Sequence, residues 1–340
     1  MLDKYLHWLE HNQGRAVSTV NVYHAYLTRL KLHLADHGKT LATADRRLLE
    51  EFIGPIAHKA GITPSSRRPL IAAVRSLYHW AEASHLIAAS PAKHLSYPKI
   101  GKPLPTPISR RNAEKMLNRC DLNTFVGQRD AAIIAMLISS GMRVSGIASL
   151  TQQSLIYEDV YPGQAPVLFV RVTEKGSKTR IIPLPDLMSL YLLQYTNSDE
   201  FVNLLPVLRL PNGDHALWVQ TQRSQLPEHE WYGEKRRLSS GGIRDMLKRR
   251  GKECGIPAKE CRPHAFRHLY GTELAEADVD PQRIQLLMGH ASAETSNVYK
   301  HLAVRKLFEV ANNHTPLAGM ETPMHAIMQK LKKRKSLPTL

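Results

Sequence analysis

The stretch "HAFRHLYGTELAEADVDPQRIQLLMGHASAETSNVYKHL", residues 264–302, combines histidines, an arginine and tyrosines with strong helix signals. Pro263 directly precedes it and suits the first turn of a helix. His264 and Arg267 are three residues apart, so we expect them to share one face of that helix. A single histidine on a helix is usually a packed residue, and only a joint pattern would indicate a functional site.

The second half of the stretch extends this pattern. Asp280 and Pro281 are typical of a helix start, and Gly289 is typical of a helix end. His290 is therefore expected just beyond a helix terminus, and Tyr299 follows nine residues later. The sequence predicts that several short helices bring two histidines, an arginine and a tyrosine to one site.

The composition of the chain points to an acidic partner. Among 340 residues, 46 are Lys or Arg and 30 are Asp or Glu, which gives a formal net charge of +16. Nucleic acid is the commonest partner of so basic a chain. The longest apolar run, AAIIAMLIS from Ala131, is too short to span a bilayer, and the N-terminus lacks a signal-peptide pattern. We expect nucleic acid as partner, no membrane contact and a cytoplasmic location.

Length and changes in composition predict two domains with a linker and a tail. The boundary is marked by the proline-rich stretch SPAKHLSYPKIGKPLPTPIS, which shows no continuous periodicity. The C-terminus combines an apolar stripe with the basic run KLKKRK. The predicted segments are a helical DNA-binding domain at 1–98, a linker at 99–108, a second domain at 109–313 and a basic tail at 314–340.

The first domain is predicted to be a bundle of amphipathic helices with basic outer faces. Thr63 and Pro64 indicate the start of one helix. Four-residue spacing predicts the apolar face of an earlier helix, formed by Val22, Tyr26, Leu30 and Leu34. Basic residues on outward faces suit DNA phosphates. The candidate DNA contacts in this domain are Arg67, Arg68 and Arg75.

The second domain is predicted to mix helices with a β-hairpin. The near-continuously apolar segment QRDAAIIAMLISSG predicts a buried helix that ends at Gly141. The run PVLFVRVTEKGSKTRIIPL predicts a hairpin that turns at residues 174–178. Residues 195–235 show no clear periodicity, whereas helical periodicity returns after Ser239.

The motifs of the second domain resemble a known family. The series HAFR, IQLLMGH and VYKHL resembles the C-terminal signature of the tyrosine recombinases, the integrase family that includes the Xer proteins and phage integrases. Upstream, SSGMRVSGIASL resembles the family's first-arginine box, and VTEKGSKTRIIPL resembles its hairpin. Residues 15–99 also resemble its core-binding domain, so the resemblance covers most of the chain. It implies six catalytic residues: Arg143, Lys175, His264, Arg267, His290 and Tyr299.

The resemblance implies a mainly α-helical fold with a small β-sheet. An N-terminal, SAM-like core-binding bundle would precede a C-terminal mixed α/β catalytic domain. One position departs from the family pattern. Where the family usually places a glutamate two residues after the valine of the arginine box, this chain has Gly146. By resemblance, that glutamate supports the site.

The chemistry of the six residues fits cleavage of a DNA phosphodiester. Planar, permanently charged guanidinium groups suit the oxygens of the doubly negative phosphorane, which is the role expected for Arg143 and Arg267. A tyrosine phenol is a poor nucleophile while protonated, so Tyr299 needs a base, for which His264 is the candidate. His290 would donate a hydrogen bond to the phosphate or position it.

The leaving 5′ oxygen needs a proton, which a lysine on a hairpin can deliver. We expect Lys175 to be this acid, with Lys178 as its rival. Lys178 and Arg244 are further candidate DNA contacts. Two other tyrosines, Tyr157 and Tyr270, are rivals for the nucleophile, but neither matches a motif, and Tyr270 is expected to pack in the core.

No cofactor or metal is expected. The chain has no G-x-x-x-x-G-K-[ST] motif and no acidic cluster of the kind that holds two Mg²⁺ ions. By resemblance, a phosphotyrosine bond keeps the energy of the ester, so rejoining needs no ATP. Three cysteines without a C-x-x-C pair predict reduced thiols.

The resemblance implies a site-specific DNA recombinase. It would cut and rejoin duplex DNA through a 3′-phosphotyrosyl intermediate and a Holliday junction, as a homotetramer on two DNA sites within the nucleoid. The tail would dock on a neighbouring protomer or add non-specific DNA affinity. The alternatives are a type IB-like DNA topoisomerase, which relaxes supercoils without pairing sites, and a non-catalytic DNA-binding accessory factor.

Overall fold

The computed structural model describes residues 1–101, 106–161, 166–174, 178–222, 226–288, 300–325 and 327–328. Contacts divide the chain into two units, residues 1–103 and 104–340. The described residues are mainly helical, and their named strands form one three-stranded sheet. The predicted fold class is confirmed.

The N-terminal unit is a bundle of helices around its own apolar core. Its longest helices are α2 and α5, and α5 begins where predicted, because the Thr63 hydroxyl accepts a hydrogen bond from the Ser66 amide at 3.3 Å. The elements are α1 (Leu2–His11), α2 (Val17–Ala35), α3 (Arg46–Glu51), a π-helical turn (Phe52–Ile56), α4 (Ala57–Lys59) and α5 (Pro64–Ala83).

The apolar face of α2 differs from the prediction. Val22 is 44% exposed. A step of four residues overshoots a full helical turn by about 40°, so four such positions drift around the helix instead of sharing one narrow face. The buried face instead mixes spacings of three, four and seven residues and comprises Val20, Leu27, Leu30 and Leu34.

The C-terminal unit surrounds a small sheet with helices. Its helices are α6 (Arg110–Asn118), α7 (Phe125–Ser140), α8 (Val144–Ser149), α9 (Asp186–Thr196), α10 (Asp199–Leu208), α11 (Ser240–Glu253), α12 (Pro263–Glu276), α13 (Pro281–Met288) and α14 (Lys300–Asn313). The strands are β1 (Leu155–Glu158), β2 (Val167–Glu174) and β3 (Lys178–Pro183), in the order β1-β2-β3. Glu174 pairs with Lys178, as expected for the predicted hairpin, whereas β1 was not predicted.

Helix α7 is the centre of the C-terminal unit. The Thr124 hydroxyl caps its start by accepting a hydrogen bond from the Gly127 amide at 3.1 Å. Every residue from Ala131 to Ser140 is buried, and α6, α9, α11 and α12 all contact the helix. It ends at Gly141, as predicted, with φ of 57°. Because α7 is held on all sides, the residues that follow its C-terminal end have a fixed starting point.

Part of the C-terminal segment packs on its own unit. Leu317, Met320 and Met324 are buried in the same core as α7. The Asn118 side-chain amide donates a hydrogen bond to the Glu321 carbonyl at 2.9 Å. Residues 329–340, which include the whole basic run KLKKRK, lie outside the described residues.

Candidate active site

The turn between α7 and α8 requires a glycine. Gly141 has a left-handed backbone, and a Cβ atom placed on it would lie 2.6 Å from Cδ1 of the buried Tyr270 ring. Two residues later, the half-buried Arg143 occupies the N-cap position of α8. The Trp218 indole donates a hydrogen bond to the Ile147 carbonyl of α8 at 2.8 Å. The backbone that presents Arg143 is therefore held from both sides.

Arg267 joins this turn to the end of α13. It lies on α12 and is only 7% exposed. Its Nη1 donates to the Gly141 carbonyl, and its Nη2 donates to the Met288 carbonyl at 2.7 Å. Gly271 lets α13 approach closely, because a Cβ there would lie 3.0 Å from the Met288 sulfur. The guanidinium of Arg267 is thus fixed by backbone groups of two separate segments.

A second arginine holds the end of α13, and sequence reasoning missed it. Arg180 on β3 donates a hydrogen bond from Nη1 to the Leu287 carbonyl at 2.5 Å. The last carbonyls of a helix lack partners within the helix and carry partial negative charge, so arginines suit this position. Arg180 and Arg267 together hold the last turn before Gly289. In the sequence, Arg180 is an ordinary hairpin residue, and no spacing connects it to Leu287.

His264 lies in the first turn of α12, with an exposed imidazole. Partial burial lowers its pKa from the ordinary value of 6.5, and nearby positive charges lower it further. These charges belong to Arg267, His268, Arg143 and Arg244. At neutral pH the imidazole is therefore uncharged, the form that can accept a proton.

The structure brings three of the six predicted catalytic residues together, namely Arg143, His264 and Arg267. Arg244, exposed on α11, adds a fourth member, because its charge acts on His264. The sequence marked Arg244 only as a candidate DNA contact. Helices α8 and α11 contact each other, which explains how Arg244 comes near Arg143. We call these four residues the basic cluster. Its concentrated positive charge suits an anionic ligand such as a phosphate.

The other predicted catalytic residues, Lys175, His290 and Tyr299, lie outside the described residues. Lys178, the rival of Lys175, is the first residue of β3. The described chain breaks off at Met288, whose carbonyl Arg267 binds, and resumes at Lys300 in α14. The basic cluster therefore adjoins the start of the segment that carries His290 and Tyr299 in the sequence.

The two rival tyrosines differ in exposure. Tyr270 is fully buried, and burial raises the pKa of its phenol. It packs with Leu274, Leu287 and Met288 beneath Gly141, as expected for a core residue. Tyr157 is 56% exposed on β1. Tyr270 is thus inaccessible to DNA, which leaves Tyr157 as the accessible rival.

In the N-terminal unit, two of the three candidate arginines share one aromatic ring. The guanidinium carbons of Arg68 and Arg75 lie 5.1 and 5.5 Å from the centroid of Tyr97. Arg75 also donates a hydrogen bond to the Leu95 carbonyl at 3.4 Å. Arg67 is half-buried on another side of α5. Arg68 and Arg75 form an exposed cationic pair, which we call the Tyr97 pair.

The cysteines are free and buried, namely Cys120, Cys254 and Cys261. Burial raises the pKa of the Cys120 thiol to about 12, so it is protonated at neutral pH and is not a nucleophile. Within the described ranges, no group of three or more His, Cys, Asp or Glu side chains could hold a metal ion. Among the described helices, none has the length and apolar character that a membrane span needs.

Comparison with known proteins identifies the family. Residues 108–306 match the phage integrase family, and residues 2–85 match the phage integrase N-terminal SAM-like domain. The chain belongs to the phage integrase family, and the resemblance to tyrosine recombinases is confirmed. The tyrosine recombinase XerD of Listeria innocua is 28% identical over 94% of this chain and 99% of its own length. XerD of Staphylococcus aureus is 26% identical with the same coverage of both chains.

Solved structures share the fold. A lambda integrase fragment bound as a dimer to a COC′ core site matches with a TM-score of 0.59 and 16% identity, over 87% of this chain and 96% of that chain. XerH bound to difH substrate matches with a TM-score of 0.56 and 19% identity, over 91% and 83%. At this identity the likeness concerns the fold.

Proposed function

We propose that this protein is a site-specific DNA recombinase that cuts and rejoins duplex DNA through a 3′-phosphotyrosyl bond to Tyr299. The observation that supports this most is the basic cluster. In it, Arg267, fixed by two backbone carbonyls, lies with Arg143 and Arg244 around a histidine with a lowered pKa. The family and the XerD relatives support the same reaction.

Arg143 and Arg267 bind the scissile phosphate in this proposal. The transition state carries two negative charges on its non-bridging oxygens, and donors fixed in advance stabilise it without reorganising. Arg267 is held by the Gly141 and Met288 carbonyls. A guanidinium has five N–H donors, so these two bonds fix its plane and are compatible with a phosphate contact.

The proton transfers follow from the charge states. Neutral His264 accepts the phenol proton as the Tyr299 oxygen attacks phosphorus, and the surrounding positive charge stabilises the developing phenolate. The bond from phosphorus to the 5′ oxygen breaks, and Lys175 gives that oxygen a proton, with Lys178 as the alternative donor. His290 donates a hydrogen bond to the phosphate. Rejoining reverses these steps, with a 5′ hydroxyl from the other strand as nucleophile.

The proposal extends to the assembly on DNA. The Tyr97 pair, together with Arg67, would bind backbone phosphates from the N-terminal unit. Lambda integrase has been solved as a tetramer bound to a Holliday junction. We extend a tetramer on two sites to this chain, with the part of its tail that follows the buried Met324 docked on the neighbouring protomer and its action within the nucleoid.

A nicked suicide duplex tests the reaction. Cleavage releases a short 5′ fragment that diffuses away, so a covalent protein–DNA adduct accumulates and can be resolved on a denaturing gel. The duplex would carry a site selected from DNA flanking the gene, and the buffer would contain EDTA. The wild type and Tyr157→Phe, which removes the exposed rival tyrosine, should both form the adduct, whereas Tyr299→Phe should not. An adduct formed by Tyr299→Phe would refute the proposed nucleophile.

The same preparation separates recombination from the two alternatives. A recombinase should convert a plasmid with two sites into recombinant products that depend on both sites. A topoisomerase would relax any supercoiled plasmid without such dependence. An accessory factor would bind the site without forming an adduct.

A further inference from the structure

Residues 228–237, EHEWYGEKRR, form a segment in which basic residues are paired with nearby carboxylates. The segment consists of two 3₁₀ turns, Glu228–Glu230 and Gly233–Arg236. Lys235 Nζ lies 2.7 Å from Glu230 Oε2, and Arg237 Nη1 lies 3.1 Å from Glu234 Oε2. The basic run Lys235–Arg237 is therefore largely neutralised by its own segment.

The middle residue of the run, Arg236, packs against an aromatic ring. Its guanidinium carbon is 4.1 Å from the centroid of the Trp231 ring, a cation–π contact that fixes the plane of the group. Burial lowers the pKa of Arg236, and the negative charge of Glu228 raises it, which places this carboxylate within electrostatic reach. The adjacent Tyr232 is 61% exposed. Cations and aromatic rings side by side are typical of nucleic-acid surfaces.

The basic run is connected to the elements that carry the basic cluster. The Leu238 amide donates to the Trp218 carbonyl at 2.8 Å, and the Trp218 indole donates to the Ile147 carbonyl of α8, the helix that Arg143 precedes. On its other side, the run leads into α11, which carries Arg244. Two short connections thus tie residues 235–237 to the elements that present Arg143 and Arg244. DNA bound at the cluster would pass close to this run.

We propose that Lys235, Arg236 and Arg237 are DNA-phosphate contacts whose positive charge is partly neutralised in the free protein by Glu228, Glu230 and Glu234. When DNA binds, its phosphates replace the carboxylates as the negative groups that neutralise these three basic side chains. The side chains of Glu230, Glu234 and Lys235 are 43%, 57% and 50% exposed, whereas that of Arg237 is 19% exposed. Exposed ion pairs contribute little stability, so the exchange is most readily reversed at Lys235. The inference rests on the proposed DNA-binding function. It adds that carboxylates of the protein compete with DNA phosphates for these basic side chains.

The exchange has a consequence for non-specific binding. Each lysine or arginine that neutralises a phosphate releases counterions, which gives DNA affinity its salt dependence. A carboxylate that already neutralises the cation removes part of this gain. The three glutamates therefore weaken binding to arbitrary DNA, while the remaining basic residues still support binding at the cognate site.

The test is the salt dependence of binding to a non-cognate duplex. Glu228→Gln/Glu230→Gln/Glu234→Gln should bind more tightly than wild type at every salt concentration. The slope of log affinity against log salt should become steeper by about 1 to 3, since each freed cation adds up to about 0.9. A matched control, Glu10→Gln/Glu200→Gln/Glu276→Gln, raises the net charge equally at exposed glutamates elsewhere. It should change the slope much less.

A combined variant decides whether the gain comes from the basic run. Adding Lys235→Gln/Arg236→Gln/Arg237→Gln to the triple glutamate variant should cancel both the tighter binding and the steeper slope. An unchanged slope in the glutamate variant, or a gain that survives in the combined variant, would overturn the inference. Adduct formation on the nicked cognate duplex is scored separately. Its loss in wild type would count against the proposed reaction, whereas an intact adduct with an unchanged slope would count against this inference alone.

Discussion

Two sets of arginines in this protein are expected to bind DNA phosphates, and they differ in burial and in how firmly they are held. Arg267 of the basic cluster is 7% exposed and bonded to the Gly141 and Met288 carbonyls. The Tyr97 pair, Arg68 and Arg75, is exposed on α5 and is oriented chiefly by one aromatic ring. A buried, doubly bonded guanidinium has one position, whereas an exposed one can follow the DNA backbone. We infer that the first set determines the rate of cleavage and the second determines the affinity.

The largest effect is expected at Arg267. Arg267→Lys keeps the charge, but a single ammonium cannot bind two carbonyls and a phosphate in one plane. The rate of single-turnover cleavage should fall by about 100- to 1,000-fold, since the change removes a fixed donor to the transition state. Affinity for the site should change little. The matched control is Arg68→Lys, which should cleave at the wild-type rate on saturating DNA.

The glycine turn that supports Arg143 and Arg267 should be sensitive to a single methyl group. Gly141→Ala combines a left-handed backbone with a clash against Tyr270, so the free energy of unfolding should fall by about 2–5 kcal/mol. Gly61 in the N-terminal unit has φ of 71° and nothing within 4 Å of an added Cβ. Gly61→Ala should lose only about 1–2 kcal/mol. Equal losses in urea denaturation would mean that the ring contact is unimportant.

The Tyr97 pair should act on binding alone. In Arg68→Gln/Arg75→Gln, the slope of log affinity against log salt should become shallower by about 2, because two phosphate contacts are lost. The loss should be similar for cognate and non-cognate DNA, as measured by titrations at several salt concentrations. At saturating DNA the cleavage rate should equal that of wild type. A large fall in that rate would contradict the inference that the Tyr97 pair affects only affinity.

The pH dependence of cleavage should report His264. Since its folded pKa lies below 6.5, the base form persists as the pH falls to 6.5, and the rate should decline only below that value. Arg244→Gln removes one of the charges that lower this pKa, so the decline should begin at higher pH. Arg75→Gln, in the other unit, should leave the profile unmoved. In the same acid range the unfolded chain takes up a proton at His264 more readily than the folded chain does. The free energy of unfolding should therefore decrease as the pH is lowered.

The smallest effect is expected from the ring itself. Tyr97→Leu keeps an apolar side chain but removes the cation–π contacts of Arg68 and Arg75. Such contacts contribute about 0.5–1 kcal/mol at exposed positions, so the affinity should fall by about two- to fivefold. Fluorescence titration against the Arg68→Gln/Arg75→Gln variant gives the comparison. The same loss in both variants would mean that the arginines bind DNA only when the ring orients them.

The structural features that the sequence predicted correctly are those determined by residues close together in the chain. Thr63 and Gly141 mark helix ends because capping is decided within a few residues, and the hairpin follows from two β-rich runs around a polar turn. The four-residue spacing predicts that Val22 faces the core, but positions at that spacing drift around the helix, and Val22 is exposed.

The site likewise contains residues that motifs predicted and residues that only the fold brings together. The motifs predicted Arg143, His264 and Arg267, and the structure brings these three together. The contact of Arg180 with Leu287 and the nearness of Arg244 to His264 arise from residues far apart in the chain, so no spacing could reveal them. The carboxylate pairing in residues 228–237 was missed because that region has no periodicity.

The attachment point of DNA is the most direct test of the proposed mechanism. Trypsin digestion of the covalent adduct, followed by mass spectrometry, identifies the peptide that carries nucleotide. Cleavage after Arg283 and Lys300 gives the peptide IQLLMGHASAETSNVYK, in which Tyr299 is the single tyrosine. We predict that the DNA phosphate is found on this peptide. A phosphate on the peptide that contains Tyr157, or on a residue other than tyrosine, would contradict the mechanism.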